Sequence, residues 1–438
     1  MTKLKEDLIL KLKNRTAKLG VVGLGYVGLP LAVEKAKAGY EVIGFDVQES
    51  KVQMVNDGVN YIGDIVDEDL KKLVDTNRLK ATTDFSFVAD VDAVSICVPT
   101  PLDKYKQPDL SYVVSSSKSV AKYMHRGLLV VLESTTYPGT TEEILKPILE
   151  ESGLKCGEDF FLAFSPERVD PGNKEYKTKN TPKVVGGCTP ECTEVAAMLY
   201  RSVLESDVME VSSPAIAEME KILENTFRNI NIALANEMAI LCKKMGIDVW
   251  EVIEAAKTKP YGFMPFYPGP GLGGHCIPLD PFYLSWKAKE YDYHTKLIET
   301  SGEINDYMPE FVMETAMKLL NTHKKSLNGS TVLLLGVAYK NDIDDLRESP
   351  ALKVIEHLEM NGANVIYNDP YIPKFKHNKR EYVSVNLEEN LKTADIVIIT
   401  TNHSCYDYQE VVNKAKLLYD TRNATKDVKE NRNKINKL

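Results

Sequence analysis

The chain has 438 residues, and at roughly 150 residues per domain this length favours about three domains. Hydrophobic residues make up 43% and charged residues 27%, which excludes a disordered or low-complexity chain. The formal charge of -9 excludes a general basic field, so we expect neither a nucleic acid nor a membrane as partner. An anionic ligand would need a local cationic pocket.

The N-terminal residues and the cysteines indicate a cytoplasmic protein. The first 20 residues scatter charges among leucines, which predicts a short amphipathic helix rather than a secretion signal. The most apolar stretch, residues 19–33, is interrupted by glycines and a proline and is too short to span a bilayer. Seven cysteines without a Cys-x-x-Cys pair favour free thiols. Cys188 and Cys192 lack a second ligand pair, so we expect no metal.

The first 210 residues alternate strand-like runs with helical patterns. Strands are predicted at 19–25, 40–46, 91–100, 127–135, 160–168 and 182–187. Such alternation is typical of a parallel sheet with helices on both faces.

Helices dominate the middle of the chain, and strands then return. One long helix is predicted at 214–246, with more helix at 248–258 and 280–322 around a loop rich in glycine and proline. Strands at 330–340, 363–370, 394–403 and 416–423 repeat the order of the first part, and the charged last 13 residues predict a frayed tail. We therefore expect an α/β protein with two Rossmann-like doubly wound domains, 1–210 and 326–438, joined by a helical central domain, 211–325.

A glycine-rich turn follows the first predicted strand. Gly23, Gly25 and Gly28 open a predicted helix, and Asp46 ends the next strand. Glycines let a pyrophosphate approach the helix N-terminus, and the acidic residue accepts hydrogen bonds from a ribose. The pattern predicts an NAD site, although the nearby Lys51 weakens the preference for NAD over NADP. A glycine turn in another α/β fold is the alternative.

A second glycine-rich segment precedes Cys276. Four glycines between residues 268 and 275 leave backbone N–H groups free to surround an anion or an exposed thiol. A buried structural cysteine is the simpler interpretation of Cys276 alone, but its glycine flank favours a reactive one. The adjacent His275 is expected to be an ordinary loop histidine.

Polar residues stand at two further places. Lys221 and Asn225 are four apart on the long helix and therefore share a face, although an exposed lysine paired with a carboxylate is the simpler interpretation. The segments 133–136 and 165–168 end predicted strands, at the edge where doubly wound sheets place ligands. Helix capping is the alternative for the first of these segments.

Together these segments resemble the UDP-glucose/GDP-mannose dehydrogenase family over essentially the full chain. The motifs occur in the family's order: VVGLGYVGLPLA, CVPTPLD, ESTTYPGTT, SPERVDPG, EMEKILENTFRNINIALANE, GPGLGGHCIPLDP and LGVAYKNDIDDLRESP. The stretch FMPFYPGPGLGGHCIPLDPFYLSWKAKE is most similar to the branch that oxidises UDP-N-acetylglucosamine.

The resemblance implies an NAD-dependent four-electron oxidation of the sugar C6 alcohol to a carboxylate. Cys276 would capture the aldehyde as a thiohemiacetal, which a second oxidation turns into a thioester. The thiolate is the reactive form of cysteine, so the cation of Lys221 would help. Lys221 and Asn225 would stabilise the oxyanion, and Asp280 would orient Lys221 or a water.

The resemblance also assigns the remaining site residues. Glu167 would activate the water that hydrolyses the thioester, and Thr135 would position a water. The remaining cofactor contacts would be Tyr26, Val27, Lys51, Thr100 and Thr135. The UDP-sugar contacts would be Glu167, Arg168, Lys221, Asn225, Phe266, Tyr267, Gly269, Gly271, Gly273, Lys340 and Arg422.

The stretch 257–261 departs from the family. Many UDP-glucose enzymes place an arginine from the neighbouring subunit here, and Lys259, the candidate replacement, lacks the bidentate fork of arginine. This favours a UDP-N-acetylhexosamine, with UDP-N-acetylmannosamine and UDP-glucose as alternatives.

A non-catalytic nucleotide-sugar binding protein is a remote alternative. A two-electron dehydrogenase would need neither the cysteine nor a second nucleotide half. The apolar long helix favours a homodimer.

Overall fold

A computed structural model describes residues 2–63, 65–170, 173, 175–274 and 276–438. The chain divides into two compact units. The first comprises Met1–Glu224 with Trp286–Asp292, and the second comprises Asn225–Ser285 with Tyr293–Leu438. The long helix α8 (Pro214–Met245) confirms the predicted helix and contributes residues to both units.

The first unit contains one large sheet with flanking helices. Its strands are β1 (Lys18–Val22), β2 (Glu41–Phe45), β3 (Leu79–Thr82), β4 (Ala93–Ile96), β5 (Leu129–Leu132), β6 (Phe161–Phe164), β7 (Lys183–Gly187) and β8 (Val208–Val211). Its helices are α1 (Thr2–Asn14), α2 (Gly28–Lys37), α3 (Glu49–Asn56), α4 (Asp67–Asp75), α5 (Ser111–Ala121), α6 (Lys146–Glu150) and α7 (Pro190–Val203), with helical turns at Phe85–Asp90 and Thr141–Leu145.

The order of the strands is that of a doubly wound sheet: β3-β2-β1-β4-β5-β6-β7-β8. Neighbouring residues of β5 point into different cores, since Val131 belongs to one apolar cluster and Val130 to another. Helices must therefore cover both faces, as the sequence predicted. All neighbouring strands are parallel except β6 and β7. Within the described part of 165–182 no helix crosses over, and without a crossover the chain returns antiparallel.

The second unit carries a smaller parallel sheet of order β10-β9-β13-β14-β15. Its strands are β9 (Thr331–Leu335), β10 (Asn364–Asn368), β11 (Lys374–His377), β12 (Arg380–Val383), β13 (Ile396–Ile399), β14 (Leu418–Asp420) and β15 (Ile435–Lys437), of which β11 and β12 form a separate hairpin. Its helices are α9 (Val249–Lys257), α11 (Lys296–Thr322), α12 (Pro350–Met360), α13 (Leu387–Thr393) and α14 (Tyr408–Lys414), and α10 (Asp280–Ala288) contributes residues to both units. A short helical turn of this unit lies at Arg432–Lys434, whereas the turn at Lys289–Tyr291 belongs to the first unit. The expected second Rossmann-like half is confirmed.

Two predictions about elements are wrong. The C-terminal residues are not a frayed tail, since β15 pairs with β14 and Leu438 is buried. Charged residues suit this position because β15 is an edge strand. The helical segment predicted at 280–322 is two helices, because α10 is followed by the short helical turn Lys289–Tyr291, which ends at Asp292 in a left-handed conformation.

The amphipathic N-terminal helix is confirmed as α1, which buries Leu8 and Leu12. In the described residues, no helix is both long and apolar enough to cross a membrane.

Candidate functional site

The glycines of the turn between β1 and α2 serve two purposes: two of them allow the turn to form, and one leaves space beside the backbone. Gly23 has a φ of 90°, which is strained for any residue with a side chain. A Cβ on Gly28 would overlap the carbonyl oxygen of Gly23, whereas a Cβ on Gly25 would meet nothing within 4 Å. Gly23 and Gly28 are therefore required by the turn itself, while the space beside Gly25 is open to a ligand at the N-terminus of α2.

Asp46 is buried at the end of β2 and is fixed on the same turn. Its Oδ2 accepts the N–H of Leu24 at 2.8 Å, and its Oδ1 accepts the N–H of Gln48 at 2.9 Å. Lys51 Nζ lies 3.9 Å from Oδ2. Each carboxylate oxygen keeps a lone pair for a ribose hydroxyl. A glycine turn, a helix N-terminus and an oriented carboxylate are the groups that a dinucleotide requires, so the residues present fit NAD.

The ends of β4 and β5 meet through two threonines. Thr100 Oγ1 donates to the carbonyl oxygen of Thr135 at 2.7 Å, so these two predicted contact residues are brought together. Two further predicted cofactor contacts lie on the glycine turn: Tyr26 has an exposed ring, and Val27 precedes α2 and packs partly against the core.

Glu167 follows β6 with its carboxylate held by three donors. Oε1 accepts the N–H groups of Arg168 and Val169 at 2.8 and 2.9 Å, and Oε2 accepts Lys183 Nζ at 3.2 Å. Sequence reasoning missed Lys183, which the run of apolar residues around it conceals. The signal available in the sequence was a lysine at the start of the predicted strand 182–187.

Arg168 has carboxylate partners on the first turns of α8. Its guanidinium donates to Glu224, and its Nη2 lies 3.5 Å from Glu220. Burial and the neighbouring charge of Glu224 raise the pKa of Glu220 to about 7. The predicted sugar contact at Arg168 is therefore part of an ion-pair group.

Lys221 is buried, with 7% of its surface exposed, so the simpler interpretation of an exposed lysine is wrong. One turn earlier, Glu218 is also buried, and sequence reasoning missed it. Its carboxylate accepts the N–H groups of Gly139 and Thr141 at 2.6 and 2.9 Å, and the Thr141 hydroxyl at 2.7 Å. Burial raises the pKa of Glu218 to about 7. Glu218 thus holds the start of the helical segment that leads into α6.

In the second unit, Asn225 and Asp280 are in direct contact. Asn225 Nδ2 donates to Asp280 Oδ2 at 2.6 Å, and both side chains are buried. The carbonyl oxygen of Cys276 accepts the N–H groups of Leu279 and Asp280 at 3.1 and 2.9 Å, so the cysteine stands directly before α10. Cys276 is exposed, which excludes the alternative of a buried structural cysteine.

Buried asparagines anchor the cysteine loop at both ends. Asn229 Nδ2 donates to the carbonyl oxygen of Ile277 at 3.0 Å, and Asn236 Oδ1 accepts the N–H of Gly269 at 2.9 Å. The Asn229 amide oxygen accepts the hydroxyl of Ser301 at 2.8 Å. Asn305 joins the two asparagines, since its Oδ1 accepts Asn236 Nδ2 at 2.9 Å. The sequence showed these residues only as polar positions in long helices.

The glycines of this loop lie against the C-terminal half. A Cβ on Gly273 would come within 2.8 Å of Tyr339 and Pro350, and Gly271 has a φ of 134°. A Cβ on Gly269 would lie 2.5 Å from Arg422 Nη1. The glycines are therefore required for packing within this unit.

The aromatic residues of the loop have protein partners. Phe266 packs edge-on against Phe227, with ring centroids 5.7 Å apart. Tyr267 stacks on Trp250, and its hydroxyl donates to Glu254 at 2.7 Å. These contacts fix the start of the loop.

The C-terminal sheet repeats the glycine-and-acid arrangement of the first unit. Gly336 follows β9 with a φ of 78°, and Asp369 after β10 accepts the N–H of Val337 at 2.7 Å. Lys340 follows this turn and is half-buried. Arg422 donates from Nε to the carbonyl oxygen of Thr400 at 2.9 Å. Burial lowers the pKa of Arg422 to about 10, as expected for a desolvated cation.

Several other predictions concern loops and cysteines. His275 lies outside the described residues. Lys259 Nζ lies over the Tyr261 ring, 5.1 Å from its centroid. Cys192 accepts the N–H of Leu162 at 3.4 Å and packs in the core. Among the residues that the structure describes, no cluster of His, Cys, Asp or Glu has the arrangement of a metal site.

Comparison with known families gives three matches along the chain. Residues 17–204 match the NAD binding domain of the UDP-glucose/GDP-mannose dehydrogenase family. Residues 215–307 match the central domain of that family, and residues 333–427 match its UDP binding domain.

Individual proteins resemble the chain over most of its length. The UDP-N-acetyl-D-glucosamine 6-dehydrogenase of Pseudomonas aeruginosa is 40% identical over 81% of this chain and 83% of its own. The UDP-N-acetyl-D-mannosamine dehydrogenase of Campylobacter jejuni is 38% identical over 89% of this chain and 96% of its own. The solved structure of the UDP-D-ManNAc dehydrogenase from Pyrococcus horikoshii superposes with a TM-score of 0.86 at 35% identity, covering 94% of this chain and 96% of that one.

Proposed function

The chain belongs to the UDP-glucose/GDP-mannose dehydrogenase family, and we propose that it oxidises the C6 alcohol of a UDP-N-acetylhexosamine to the uronic acid. It is an NAD-dependent oxidoreductase that acts on the CH–OH group of a UDP-sugar. UDP-N-acetylglucosamine is the first choice of substrate, in accord with the relative from Pseudomonas aeruginosa. UDP-N-acetylmannosamine is the second candidate, because relatives of that name are similarly close and cover more of the chain.

The glycine turn and Asp46 would hold NAD in the first unit. The N–H groups at the start of α2 would face the pyrophosphate, and the Asp46 carboxylate would accept the ribose hydroxyls. Thr100 and Thr135 would line the same edge of the sheet. When bound, NAD supplies a hydride acceptor for each of the two oxidations.

Covalent chemistry would occur at Cys276. Its Sγ adds to C6 of the aldehyde, so a C–S bond forms and the carbonyl electron pair moves onto oxygen. Lys221 and Asn225 would stabilise that oxyanion as cation and hydrogen-bond donor. Loss of hydride from the same carbon converts the thiohemiacetal into a thioester. Asp280 would keep the Asn225 amide oriented, since it already accepts its N–H.

Hydrolysis of the thioester would use Glu167. Its carboxylate would take a proton from water as the water oxygen bonds to C6, and the C–S bond then breaks to return the thiol. Thr135 would position a water.

Lys340 and Arg422 would pair with the diphosphate, and residues 266–274 would line the sugar. Arg168, engaged by Glu224, would act at the edge of this site.

The exposed thiol of Cys276, directly before the helix that presents Asp280 to Asn225, is the observation that carries this function. A simple alcohol dehydrogenase has no use for an exposed cysteine on a loop anchored at both ends. The arrangement supports a covalent route.

The test is the number of NADH molecules formed per sugar consumed. UDP-N-acetylglucosamine, UDP-N-acetylmannosamine and UDP-glucose are compared side by side, with Cys276→Ser and the exposed-cysteine control Cys405→Ser. We expect two NADH per UDP-N-acetylglucosamine, with turnover lost only in Cys276→Ser. One NADH per sugar, or full activity of Cys276→Ser, would overturn the proposal. Two NADH from UDP-N-acetylmannosamine alone would transfer the assignment to that substrate.

Three broader features belong to the same proposal. The division into domains at 1–210, 211–325 and 326–438 agrees with the order of the three family matches. A cytoplasmic location suits an enzyme that uses NAD and a reactive thiol. A homodimer is supported by exposed apolar residues on α8, where Phe227, Leu234 and Leu241 recur every seven residues.

A further inference from the structure

We infer that Lys183 is a positioning residue for thioester hydrolysis, because it aims one oxygen of Glu167 at the attacking water. This inference rests on the proposed function and on the role of Glu167 in it. Lys183 itself would touch neither the sugar nor NAD.

The carboxylate of Glu167 is oriented by donors on both oxygens. The N–H groups of Arg168 and Val169 donate to Oε1, at 2.8 and 2.9 Å. Lys183 Nζ lies 3.2 Å from Oε2. A carboxylate offers about four acceptor positions, two on each oxygen. The donors of the described residues fill both positions on Oε1 and one on Oε2, so Oε2 is the oxygen left to accept a water.

Lys183 is itself held in place by a second carboxylate. Its side chain is buried at the start of β7, and Nζ donates to Glu133 Oε2 at 2.9 Å. Glu133 is buried after β5, and its other oxygen accepts the hydroxyl of Tyr200 at 2.6 Å. A lysine side chain has four rotatable bonds, but two carboxylates on neighbouring parts of one sheet leave it a single position.

The charges of this group favour a permanent cation at Lys183. Burial alone would lower the pKa of Lys183, but Glu133 and Glu167 outweigh it and raise the pKa well above its usual value. Lys183 and Lys35 likewise hold the pKa of Glu133 below its usual value despite burial. Cys97 also borders the group, and burial raises the pKa of its thiol. Lys183 thus stays charged over the working pH range.

Lys35 is a second buried lysine near Glu133; burial lowers its pKa, and the charge of Glu133 opposes that shift. Its Nζ donates to Ser95 at 2.7 Å, and its charge acts on Glu133. Removal of Lys183 therefore leaves Glu133 with a nearby cation, whereas Glu167 loses the donor on Oε2. The main loss falls on the orientation of Glu167.

The test compares Lys183→Met with three other variants. Glu167→Gln is the reference for blocked hydrolysis, and Lys183→Arg restores a cationic donor. Lys179→Met is the matched control, because Lys179 is an exposed lysine that pairs with Glu205 at 3.1 Å. If Lys183→Met does not fold, the double variant with Glu133→Gln removes the opposing buried charge together with the lysine.

In Lys183→Met we expect a rapid burst of two NADH per subunit, followed by slow turnover. The kcat should fall about tenfold to a hundredfold, and the KM for the UDP-sugar should fall with it, so that kcat/KM is retained. Mass spectrometry of the stopped reaction should find the uronyl thioester on Cys276, as in Glu167→Gln. Lys183→Arg should regain most of the turnover.

Three results would overturn the inference. They are wild-type kcat in folded Lys183→Met or in its double variant with Glu133→Gln, a fall in kcat/KM without acyl-enzyme, and a failure of Lys183→Arg to regain turnover. Failure of the proposed function is recognised separately, since the wild-type enzyme would then give one NADH per sugar and Glu167→Gln would accumulate no thioester. That result would remove the step that Lys183 serves.

Discussion

Arg422 lies directly against the backbone of Gly269. A Cβ on this glycine would stand 2.5 Å from Arg422 Nη1 and 3.1 Å from Cζ. The Arg422 guanidinium therefore lies between the end of the C-terminal sheet and the cysteine loop, two segments about 150 residues apart in the chain. The absence of a side chain at position 269 is what allows the guanidinium to take this place.

Gly269→Ala should displace Arg422 and weaken the binding of the UDP-sugar. We expect KM for the UDP-sugar to rise about tenfold, because a charge-assisted contact to phosphate contributes on the order of 1.4 kcal/mol or more. The KM for NAD should stay unchanged. Steady-state kinetics with each substrate varied in turn provides the measurement. Gly63→Ala, where a Cβ meets nothing within 4 Å, is the control, and an unaltered KM in Gly269→Ala would contradict the role of Arg422.

Gly25→Ala should lose NADH affinity without losing thermal stability, whereas Gly28→Ala should lose thermal stability as well. A Cβ on Gly25 meets no protein atom within 4 Å, so the variant should fold with an unchanged Tm. It should nevertheless bind NADH at least tenfold more weakly, because the methyl group occupies the approach of the pyrophosphate. A Cβ on Gly28 overlaps the carbonyl oxygen of Gly23, so this variant should lose thermal stability as well.

NADH fluorescence titration and thermal melting separate the two cases. Tight NADH binding by Gly25→Ala would show that no phosphate approaches the turn there. Wild-type melting of Gly28→Ala would show that the turn relaxes more readily than its geometry indicates.

Asn229→Ala should destabilise the cysteine loop. The variant leaves the Ile277 carbonyl oxygen and the Ser301 hydroxyl without their amide partner. We expect a loss of about 2 kcal/mol in the free energy of unfolding and a kcat reduced more than tenfold. Asn231→Ala is the control, because the Asn231 amide donates at 2.7 Å to the Phe227 carbonyl oxygen within its own helix. Urea unfolding and kcat that match the control would exclude a role for Asn229 in anchoring the loop.

Glu218 should make stability fall as the pH rises. Its pKa is raised by burial from 4.5 to about 7, so between these values the folded chain binds more protons than the unfolded chain. The stability of the folded state is therefore greatest below pH 4.5 as far as this group is concerned, and the contribution is lost as the pH rises through 7. The change is on the order of 3 kcal/mol.

Urea unfolding at pH 5 and pH 8 measures this effect. Glu218→Gln should flatten the decline, whereas Glu151→Gln, at an exposed carboxylate, should not. An equal decline in Glu218→Gln and in wild type would assign the pH dependence to other groups, of which Glu220 is the first candidate.

Leu234→Glu should dissociate the proposed homodimer. Leu234 is 53% exposed on α8, and a charge at the centre of an apolar interface is costly to desolvate. We expect wild type to elute as a dimer and Leu234→Glu as a monomer in light-scattering chromatography. Leu10→Glu, at an exposed leucine of α1, should remain dimeric. A monomeric wild type would refute the interface.

Local patterns in the sequence determined much of the fold. The glycine turn, Asp46 and the alternating strands were predictable because hydrophobic periodicity and glycine spacing depend on backbone geometry within a few residues. The break at Asp292 and the strand β15 were not. A left-handed aspartate has no strong local signal, and β15 exists only because β14 offers it an edge.

By itself, then, the sequence determined the alternation of helices and strands in the two Rossmann-like halves, the long helix α8 and which residue types stand at the strand ends. Only the tertiary structure decided which buried polar and charged groups meet. Lys183 bonds to Glu133 from 50 residues away, and Asn225 to Asp280 from 55 residues away. The physical reason is that a buried charge must find its counter-charge wherever the order of strands brings one, and that order is a property of the whole sheet rather than of any one segment.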